Sequence, residues 1–268
     1  MCRHLGYLGP PVPVADLVLD PPHSLLHQSW APADMRGGGT INADGFGVGW
    51  YPPAGEDPVR YRQAVPMWTD ANLPGLARSA RATGVLAAVR SATVGMPVME
   101  TACAPFAEAD WLFSHNGKVT GWPGSIAALA DALPVTDLVT LEAPTDSALL
   151  WALLRHRLRA GEEPEKAVTQ VVTEVVEAAP GSRLNLLLTN GRVLVATAVG
   201  HALSVFRTAD AAMISSEPCD TDPGWRPVPD GHLVVATAAD GHTISPLPFA
   251  ADLPAEAGEP ARTRTGEP

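Results

Sequence analysis

Cys2, which directly follows Met1, has the residue type and the position for nucleophilic chemistry. An initiator methionine is usually removed when the second residue is small, and its removal would leave Cys2 with both a thiol and a free α-amino group. An α-amino group titrates near ~7.7–8.0, well below the ~10.4 of lysine, so it can accept a proton near neutral pH. A nucleophile and its general base would then share one residue. Because most residues at position 2 are inert, this interpretation needs support from elsewhere in the chain.

A second segment with chemical potential is Arg90-Ser91-Ala92-Thr93-Val94-Gly95, at the end of a predicted buried strand over residues 84–90. The guanidinium of Arg90 is a planar donor fork that suits a carboxylate. Taken alone, an arginine that ends a strand at the protein surface explains the segment equally simply.

The third segment is His115-Asn116-Gly117. An asparagine amide and a glycine N–H can both point at one oxygen, as a tetrahedral intermediate requires. Asn-Gly is also a strong hairpin signal, and predicted strands over residues 110–114 and 118–121 flank it. The sequence therefore predicts a hairpin turn here. Asn190-Gly191 carries the same dipeptide between better strands without any functional implication.

Asp146 lies in the fourth segment, Thr145-Asp146-Ser147, which opens a helix predicted over residues 146–159. Thr145 is a good N-cap, and an acidic residue in the first turn suits the helix dipole, so a structural role accounts for both residues. The functional alternative is a carboxylate that binds the ammonium group of a substrate.

The elements around these segments indicate how they are held. A strand over residues 3–8 would fix Cys2 instead of leaving it to fray. Residues 45–51 alternate glycine with large side chains, which predicts a strand that another backbone or a ligand approaches closely. The other predicted strands are 184–189, 192–198, 202–207, 212–215, 232–238 and 243–247, and the other predicted helices are 23–30, 72–81 and 165–178. Strands, then two helices, then strands indicate an α+β domain with mainly antiparallel pairing.

The chain has 268 residues, 46% of them hydrophobic, which is enough to bury a substantial core. We predict one domain over residues 1–249, with a glycine loop at Gly37, Gly38 and Gly39. Residues 250–268 are rich in Pro, Gly and acidic residues and poor in apolar ones, which predicts a disordered tail.

The formal charge of −11 argues against nucleic acid or an anionic membrane as a partner, because no stripe of lysine and arginine exists to neutralise phosphates. No stretch approaches the ~18 apolar residues of a spanning helix, and we expect a cytoplasmic protein. Cys2, Cys103 and Cys219 are too few and too scattered for a disulfide framework or a metal site. His23 and His27 have the i,i+4 spacing of metal ligands, but no third ligand is evident, so no metal is predicted.

In this order and spacing, the four segments resemble the class II glutamine amidotransferases, a branch of the N-terminal nucleophile hydrolases. The family pattern is an N-terminal Cys, an Arg-x-Ala-Thr-x-Gly segment, an Asn-Gly pair and a later Asp. The resemblance covers roughly the first 150 residues. It implies a four-layer αββα sandwich, in which two antiparallel sheets lie between helical layers.

The resemblance also gives each matching residue a role in cleaving a γ-glutamyl amide. Cys2 would be the nucleophile, with its α-amino group as the base, and would form a γ-glutamyl thioester that water hydrolyses to glutamate. Asn116 and Gly117 would form the oxyanion hole, with Gly117 also against the substrate. Arg90 and Thr93 would bind the α-carboxylate of the glutamyl group, and Asp146 its α-ammonium. Val94 stands where the family commonly has His or another donor.

Three stretches narrow the resemblance further: the opening Met-Cys-Arg-His-Leu-Gly-Tyr-Leu-Gly, residues 42–50, and Ser215-Ser216-Glu217-Pro218. They resemble the branch of the family that hydrolyses γ-glutamyl hercynylcysteine S-oxide in ergothioneine biosynthesis. This implies a small-molecule γ-glutamyl substrate and no cofactor, and is compatible with a homodimer. The leaving portion would carry a trimethylammonium group, for which Trp30, Trp50 and Trp68 are candidate contacts, although a buried aromatic is more often core.

Three alternatives remain at this point. A glutaminase subunit would pass ammonia to a separate synthase and would hydrolyse free glutamine well. A non-catalytic domain would keep the fold and bind γ-glutamyl ligands without turnover, or would retain Met1. Another N-terminal nucleophile amidase, for bile-salt or lactam amides, would not need both Arg90 and Asp146.

Overall fold

Two antiparallel sheets form the centre of the structure, a computed structural model that describes residues 2–35, 41–55 and 57–253. The first sheet has seven strands in the order β11-β9-β10-β1-β4-β2-β3, and the second has six in the order β13-β12-β8-β7-β6-β5. The strands of the first sheet are β1 (Arg3–Pro13), β2 (Phe46–Tyr51), β3 (Val59–Gln63), β4 (Arg81–Val89), β9 (Ser204–Arg207), β10 (Ala212–Ser215) and β11 (Arg226–Pro227). Those of the second are β5 (Phe106–Glu108), β6 (Trp111–Lys118), β7 (Arg183–Thr189), β8 (Leu194–Ala198), β12 (His232–Thr237) and β13 (Gly241–Pro246).

Helices cover the outer face of each sheet. They are α1 (Ala15–Val18), α2 (Leu25–Gln28), α3 (Leu73–Ser79), α4 (Ala127–Ala130), α5 (Val135–Val139), α6 (Asp146–Arg159) and α7 (Pro164–Ala178). Short 3₁₀ turns lie at Met67–Thr69, Glu100–Ala102, Gly124–Ile126 and Ala250–Asp252. Within the described residues, no helix is long and apolar enough to cross a membrane.

Three apolar cores separate four layers. One lies between the first sheet and α1 to α3, and includes Phe46 and Val89. A second lies between the two sheets, where Leu86 of the first meets Leu187 of the second. The third lies between the second sheet and α6 and α7, and includes Trp151 and Val171. Since each sheet is apolar on both faces, the layers stack as helices, sheet, sheet and helices, which confirms the αββα sandwich.

Most predicted elements are present with shifted ends. The first strand runs from Arg3 to Pro13 rather than stopping at residue 8, while the predicted helix over residues 23–30 contracts to α2. The predicted tail begins with the 3₁₀ turn Ala250–Asp252, and residues 254–268 of it lie outside the described part, as do Gly37, Gly38 and Gly39.

The hairpin turn predicted at Asn116-Gly117 is wrong. Both residues belong to β6 and pair with β7, Asn116 opposite Asn185 and Gly117 opposite Leu184. Neither has the positive φ that an Asn-Gly hairpin turn needs, whereas Gly191, which turns β7 into β8, has a φ of +79°. Pairing with a strand distant in sequence therefore overrides the local turn signal, and the pair is held inside a sheet.

The close approach predicted for the glycine strand is confirmed, and at Gly47 the partner is backbone. A Cβ built on Gly47 of β2 would lie 2.2 Å from the carbonyl oxygen of Ala104. A side chain at this position would push apart β2 and the segment before β5, which lies in the facing sheet.

The register of the first sheet sets the position of Cys2. Val89 of β4 lies opposite Arg3 of β1 on one side and opposite Phe46 of β2 on the other. The residues that precede β1 and β2 are therefore brought next to Arg90, the residue that follows β4. Cys2, Gly45 and Arg90 thus lie at one edge of the sheet.

Candidate active site

Cys2 lines a small cavity, here called the Cys2 cavity, together with four residues that the sequence singled out. These are Arg90, Thr93, Gly117 and Asp146, and the cavity has a volume of about 30 Å³. Cys2 is half-buried, and its thiol donates to the carbonyl oxygen of Ser91 over 3.7 Å. The structure therefore brings together the residue before β1, the loop after β4, β6 and α6, with residues that are up to 144 positions apart (146 − 2).

The loop that carries Arg90 is fixed by the segment before β2. The Arg90 N–H donates to the Gly45 carbonyl (2.8 Å), and the Asp44 N–H donates to the Arg90 carbonyl (3.0 Å). The carboxylate of Asp44 accepts from the Ala92 N–H over 2.7 Å. Nη1 of Arg90 is buried and has no hydrogen-bond partner among the described residues. The backbone of Arg90 is thus fixed, while its guanidinium remains free to bind an anion. Thr93 is exposed at the cavity wall, and Val94 lies outside the cavity.

Asp146 is the first residue of α6, and its carboxylate is oriented by backbone groups. It accepts from the N–H groups of Ser147 (2.8 Å) and Val119 (2.9 Å). Thr145 caps the helix by accepting from the Ala148 N–H, as the sequence predicts. Asp146 is buried, yet within the described part of the chain no Arg, Lys or His forms an ion pair with it. Asp146 and Arg90 therefore line the same cavity, and among the described residues the Asp146 carboxylate forms no ion pair.

Asn116 and Gly117 line two different cavities. Gly117 lines the Cys2 cavity, and a Cβ at this position would lie 1.8 Å from the Arg183 carbonyl oxygen, so only glycine fits. Asn116 lines a second small cavity with Arg3, His201 and Ser216. Its amide Nδ2 donates to Ser216 Oγ over 3.4 Å and retains a second N–H for another acceptor.

Two residues on the cavity wall, His115 and Ser147, received no role from the sequence. Nε2 of His115 donates to the Arg183 carbonyl (2.9 Å), so Nδ1 is the acceptor for the Ser147 hydroxyl (3.0 Å). This chain of bonds links β6, β7 and the first turn of α6. Both residues adjoin predicted site residues, and that adjacency was the only available signal for them.

A buried ion pair holds the start of β1. Arg3 donates through Nε to Glu217 (2.8 Å), through Nη1 to the Cys2 carbonyl (3.0 Å) and through Nη2 to the Asp34 carbonyl. Glu217 also accepts from His23 Nε2 (2.6 Å) and from the Ala33 N–H (2.7 Å). Burial alone would raise the pKa of Glu217, but the His23 hydrogen bond and the Arg3 charge hold that pKa below its usual value. Glu217 therefore stays ionised and fixes the residue next to Cys2.

The other cysteines, Cys103 and Cys219, and the pair His23 and His27 have the environments of structural residues. Cys103 and Cys219 are buried, and burial raises the pKa of each thiol to about 11, so they remain protonated near neutral pH. His23 and His27 hydrogen-bond to each other through Nδ1 (3.1 Å), and the described residues contain no group of three metal-ligating side chains.

The three candidate tryptophans lie apart from the Cys2 cavity. Trp50 is part of the core under α1 to α3, as the structural interpretation held. Trp30 and Trp68 are each 41% exposed and contact each other edge to face, with ring centroids 5.8 Å apart. None of the three lines the Cys2 cavity.

Comparison with known proteins identifies the family. Residues 23–209 match the family described as class II glutamine amidotransferases. The chain belongs to this family. The match includes Arg90, Thr93, Asn116, Gly117 and Asp146 but begins after Cys2.

A relative from Mycolicibacterium smegmatis is 43% identical over 244 residues, which cover 91% of this chain and 98% of the relative. It is named gamma-glutamyl-hercynylcysteine sulfoxide hydrolase.

Solved structures show the same fold. A class II glutamine amidotransferase domain protein from Silicibacter pomeroyi matches with a TM-score of 0.64 and 25% identity, over 92% of this chain and 99% of that protein. The glutamine phosphoribosylpyrophosphate amidotransferase of B. subtilis matches with a TM-score of 0.63 and 14% identity, over 92% of this chain and 49% of that protein. The second likeness supports the fold alone.

Two buried histidines, His4 and His201, should make the free energy of unfolding depend on pH. Burial, followed by the nearby positive charges, lowers the pKa of His4 and of His201 to about 3. The unfolded chain takes up a proton at each near pH ~6.5, and the folded protein does so only near pH 3. The contribution of these two histidines to stability is therefore fully present above pH ~6.5 and is lost as the pH falls toward 3, by up to about 1.4 kcal/mol per pH unit for each histidine.

Urea unfolding of the wild type and of His201→Asn at pH 7 and pH 5 measures this effect. We expect the variant to lose about 2 kcal/mol less than the wild type on acidification. The exposed His242 gives the control His242→Asn, which should keep the wild-type dependence. Equal losses in His201→Asn and in the wild type would contradict the buried, neutral state of His201.

Proposed function

We propose that this chain hydrolyses the γ-glutamyl amide bond of a small molecule through a thioester on Cys2. The observation that carries the proposal is the charge pattern of the Cys2 cavity. Arg90 has a buried donor without a partner, Asp146 is a buried anion without a cation, and both lie beside the Cys2 thiol. Unpaired buried charges are costly unless a ligand compensates them. The α-carboxylate and α-ammonium of a glutamyl group supply both missing partners.

The first half of the reaction forms the thioester. The Cys2 sulfur attacks the γ-carbonyl carbon, and the thiol proton passes to the α-amino group that removal of Met1 leaves on the same residue. The negative oxygen of the tetrahedral intermediate is stabilised by the free Nδ2–H of Asn116 and the backbone N–H of Gly117. The C–N bond then breaks, and the leaving amine takes the proton from the α-ammonium.

The second half releases glutamate. Water attacks the thioester carbonyl with the α-amino group as its base, the same oxyanion donors act again, and the C–S bond breaks to restore the thiol. Arg90 and Thr93 hold the α-carboxylate throughout, while Asp146 holds the α-ammonium. Gly117 contacts the glutamyl group from β6. The reaction consumes one water and needs neither a cofactor nor a change of oxidation state.

The leaving portion of the substrate is hercynylcysteine S-oxide. This assignment is supported by the M. smegmatis relative, whose match extends over 98% of its own length. The products of the proposed reaction are glutamate and hercynylcysteine S-oxide, and the reaction is a step of ergothioneine biosynthesis. A thiol nucleophile stays reduced in the cytoplasm, where we place the protein. The expected homodimer stays a prediction.

We also propose that residues 2–249 act as one catalytic domain. The core between the sheets combines Leu8 and Leu86 from the first part of the chain with Leu187 and Ile214 from the last part. Neither sheet therefore buries its inner face without the other, and the fold cannot be divided at a linker.

The ammonium-binding role of Asp146 can be tested with a pair of substrates. L-glutamine has the α-ammonium group, and glutaric acid monoamide lacks it. We expect Asp146→Asn to lower kcat/KM for glutamine by about 30-fold or more, because truncating one partner of a buried charge pair costs 2–5 kcal/mol. The variant should leave the slow hydrolysis of the monoamide nearly unchanged.

Asp16, an exposed acidic residue in the first turn of α1, provides the matched control Asp16→Asn. This control should behave as the wild type with both substrates. If Asp146→Asn lowers kcat/KM for both substrates by the same factor, Asp146 does not recognise the ammonium group, and the alternative of an amidase for other amides gains support.

The identity of the substrate is tested by comparing kcat/KM for γ-glutamyl hercynylcysteine S-oxide, L-glutamine and glutathione. We expect the S-oxide conjugate to exceed both others by at least ~100-fold, since binding energy from the leaving portion lowers the barrier. Comparable values for all three would remove the ergothioneine assignment. A clear preference for glutamine, increased by a partner synthase, would instead indicate the glutaminase subunit.

A further inference from the structure

A cleft much larger than the Cys2 cavity lies next to the small cavity that Asn116 lines. It has a volume of about 540 Å³ and lies between the segment before β9, the segment after β10, and residues 22–34. It shares Asp34, Ala202 and Ser216 with the small cavity that Asn116 lines. No Arg or Lys lines it within the described part of the chain, and we call it the acidic cleft.

The walls of the acidic cleft are apolar and carry carboxylates. Leu203, Pro218 and Val228 supply apolar surface, and Asp34, Glu217 and Asp220 supply the acidic groups. The Glu217 charge is balanced by Arg3.

Asp220, unlike Glu217, is held by hydrogen bonds from uncharged groups. Its Oδ1 accepts from Trp225 Nε1 and from the Asp222 N–H, each over 2.9 Å. Asp220 has no cationic partner among the described residues. A fixed anion beside apolar walls suits a cation that is weakly hydrated and cannot donate hydrogen bonds.

Two buried polar groups without partners line the small cavity that shares residues with the acidic cleft. His201 is only 3% exposed, and neither ring nitrogen has a partner among the described residues. Oδ1 of Asn116, in a residue 1% exposed, is also unpaired there. Buried polar groups are nearly always hydrogen-bonded, so these atoms indicate a place where a ligand completes the bonding. His201 stays neutral there because burial lowers its pKa to about 3, and it offers one donor and one acceptor.

A bound substrate would reach from the Cys2 cavity past Asn116. A γ-glutamyl group with its head at Arg90 and Asp146 places the scissile carbonyl at Cys2 and Asn116. The leaving portion then has to extend away from the glutamyl head, past Asn116. The small cavity at His201 is lined by Arg3 and Asn116, the chain neighbours of Cys2 and Gly117, and it shares three residues with the acidic cleft. Neither space is lined by Arg90 or Asp146, which hold the glutamyl head.

We propose that the acidic cleft is the leaving-group subsite and that it selects a quaternary ammonium group. Asp220 and the apolar walls receive the trimethylammonium end, while His201 and Asn116 Oδ1 face the polar groups between that end and the scissile amide. The proposal rests on the proposed function and adds the residues that decide which γ-glutamyl conjugate is cleaved.

The test compares two substrates that have the same amide and the same sulfoxide. One is γ-glutamyl hercynylcysteine S-oxide, and the other is γ-glutamyl-S-methylcysteine S-oxide, which lacks the cationic end. Asp220→Asn should lower kcat/KM for the first about three- to tenfold, because the carboxylate is exposed and its attraction is partly screened. Thr221→Arg puts a cation on the cleft wall and should lower it about ten- to a hundredfold. For the second substrate, kcat/KM should change less than twofold in either variant, roughly the spread of such measurements.

Asp131→Asn is the matched control for the loss of charge. Asp131 is exposed near α4 and lines neither cavity nor cleft, so both substrates should be cleaved as by the wild type. If the cleft variants lower kcat/KM for both substrates equally, or for neither, the subsite is wrong while the proposed function stands. If the wild type cleaves the S-methyl compound as well as the conjugate, the cleft provides no selection.

Binding of free hercynine, the trimethylammonium derivative of histidine, measures the cleft without turnover. Calorimetry should show hercynine binding to the wild type at least ~10-fold more tightly than to Thr221→Arg, and more tightly than histidine binds. Equal binding to both proteins, or none to the wild type, overturns the subsite. Failure of the wild type to cleave the conjugate, with hercynine still bound, would instead overturn the proposed function alone.

Discussion

The position of the nucleophile depends on one buried ion pair. Arg3 and Glu217 are each 3% exposed, and the same guanidinium that meets Glu217 donates to the Cys2 carbonyl. Breaking such a pair by removing one partner costs about 3–5 kcal/mol, because the other charge stays buried. Strand β1 is further held between β4 and β10. A terminal residue that would otherwise fray is thereby kept at one place at the edge of the sheet.

The site itself is built from buried groups whose bonding or charge the protein leaves incomplete. Arg90, His201 and Asn116 have buried polar atoms that no other described residue satisfies. The buried carboxylate of Asp146 is hydrogen-bonded by backbone N–H groups but has no ion-pair partner among the described residues. Each lowers the stability of the free protein, and a substrate with a zwitterionic head and a polar leaving portion satisfies them together. Arg3 and Glu217, by contrast, are paired with each other and hold the start of β1 in place. Buried charge thus has two uses in this protein: one pair positions the chain, and the charges of Arg90 and Asp146 bind the substrate.

Much of the fold could be predicted from the sequence where local signals agree with the tertiary structure. The helix over residues 146–159 and the strand over residues 212–215 have the predicted bounds, because the first has a strong N-cap and the second a short apolar run. The turn predicted at Asn116-Gly117 is wrong because pairing with β7, in which Asn185 lies opposite Asn116 and 69 residues later (185 − 116), outweighs the local preference for a turn. Edge strand β3 was missed since Arg60 and Arg62 interrupt its apolar pattern. Likewise, no local pattern joins Glu217 to Arg3.

The most direct measurement is the rate of glutamate release by a Cys2→Ala variant, with removal of Met1 verified by intact mass and the fold by thermal unfolding. We expect hydrolysis to fall to the background rate, because no sulfur remains to form the thioester. A correctly processed, folded Cys2→Ala protein that releases glutamate at the wild-type rate would contradict it.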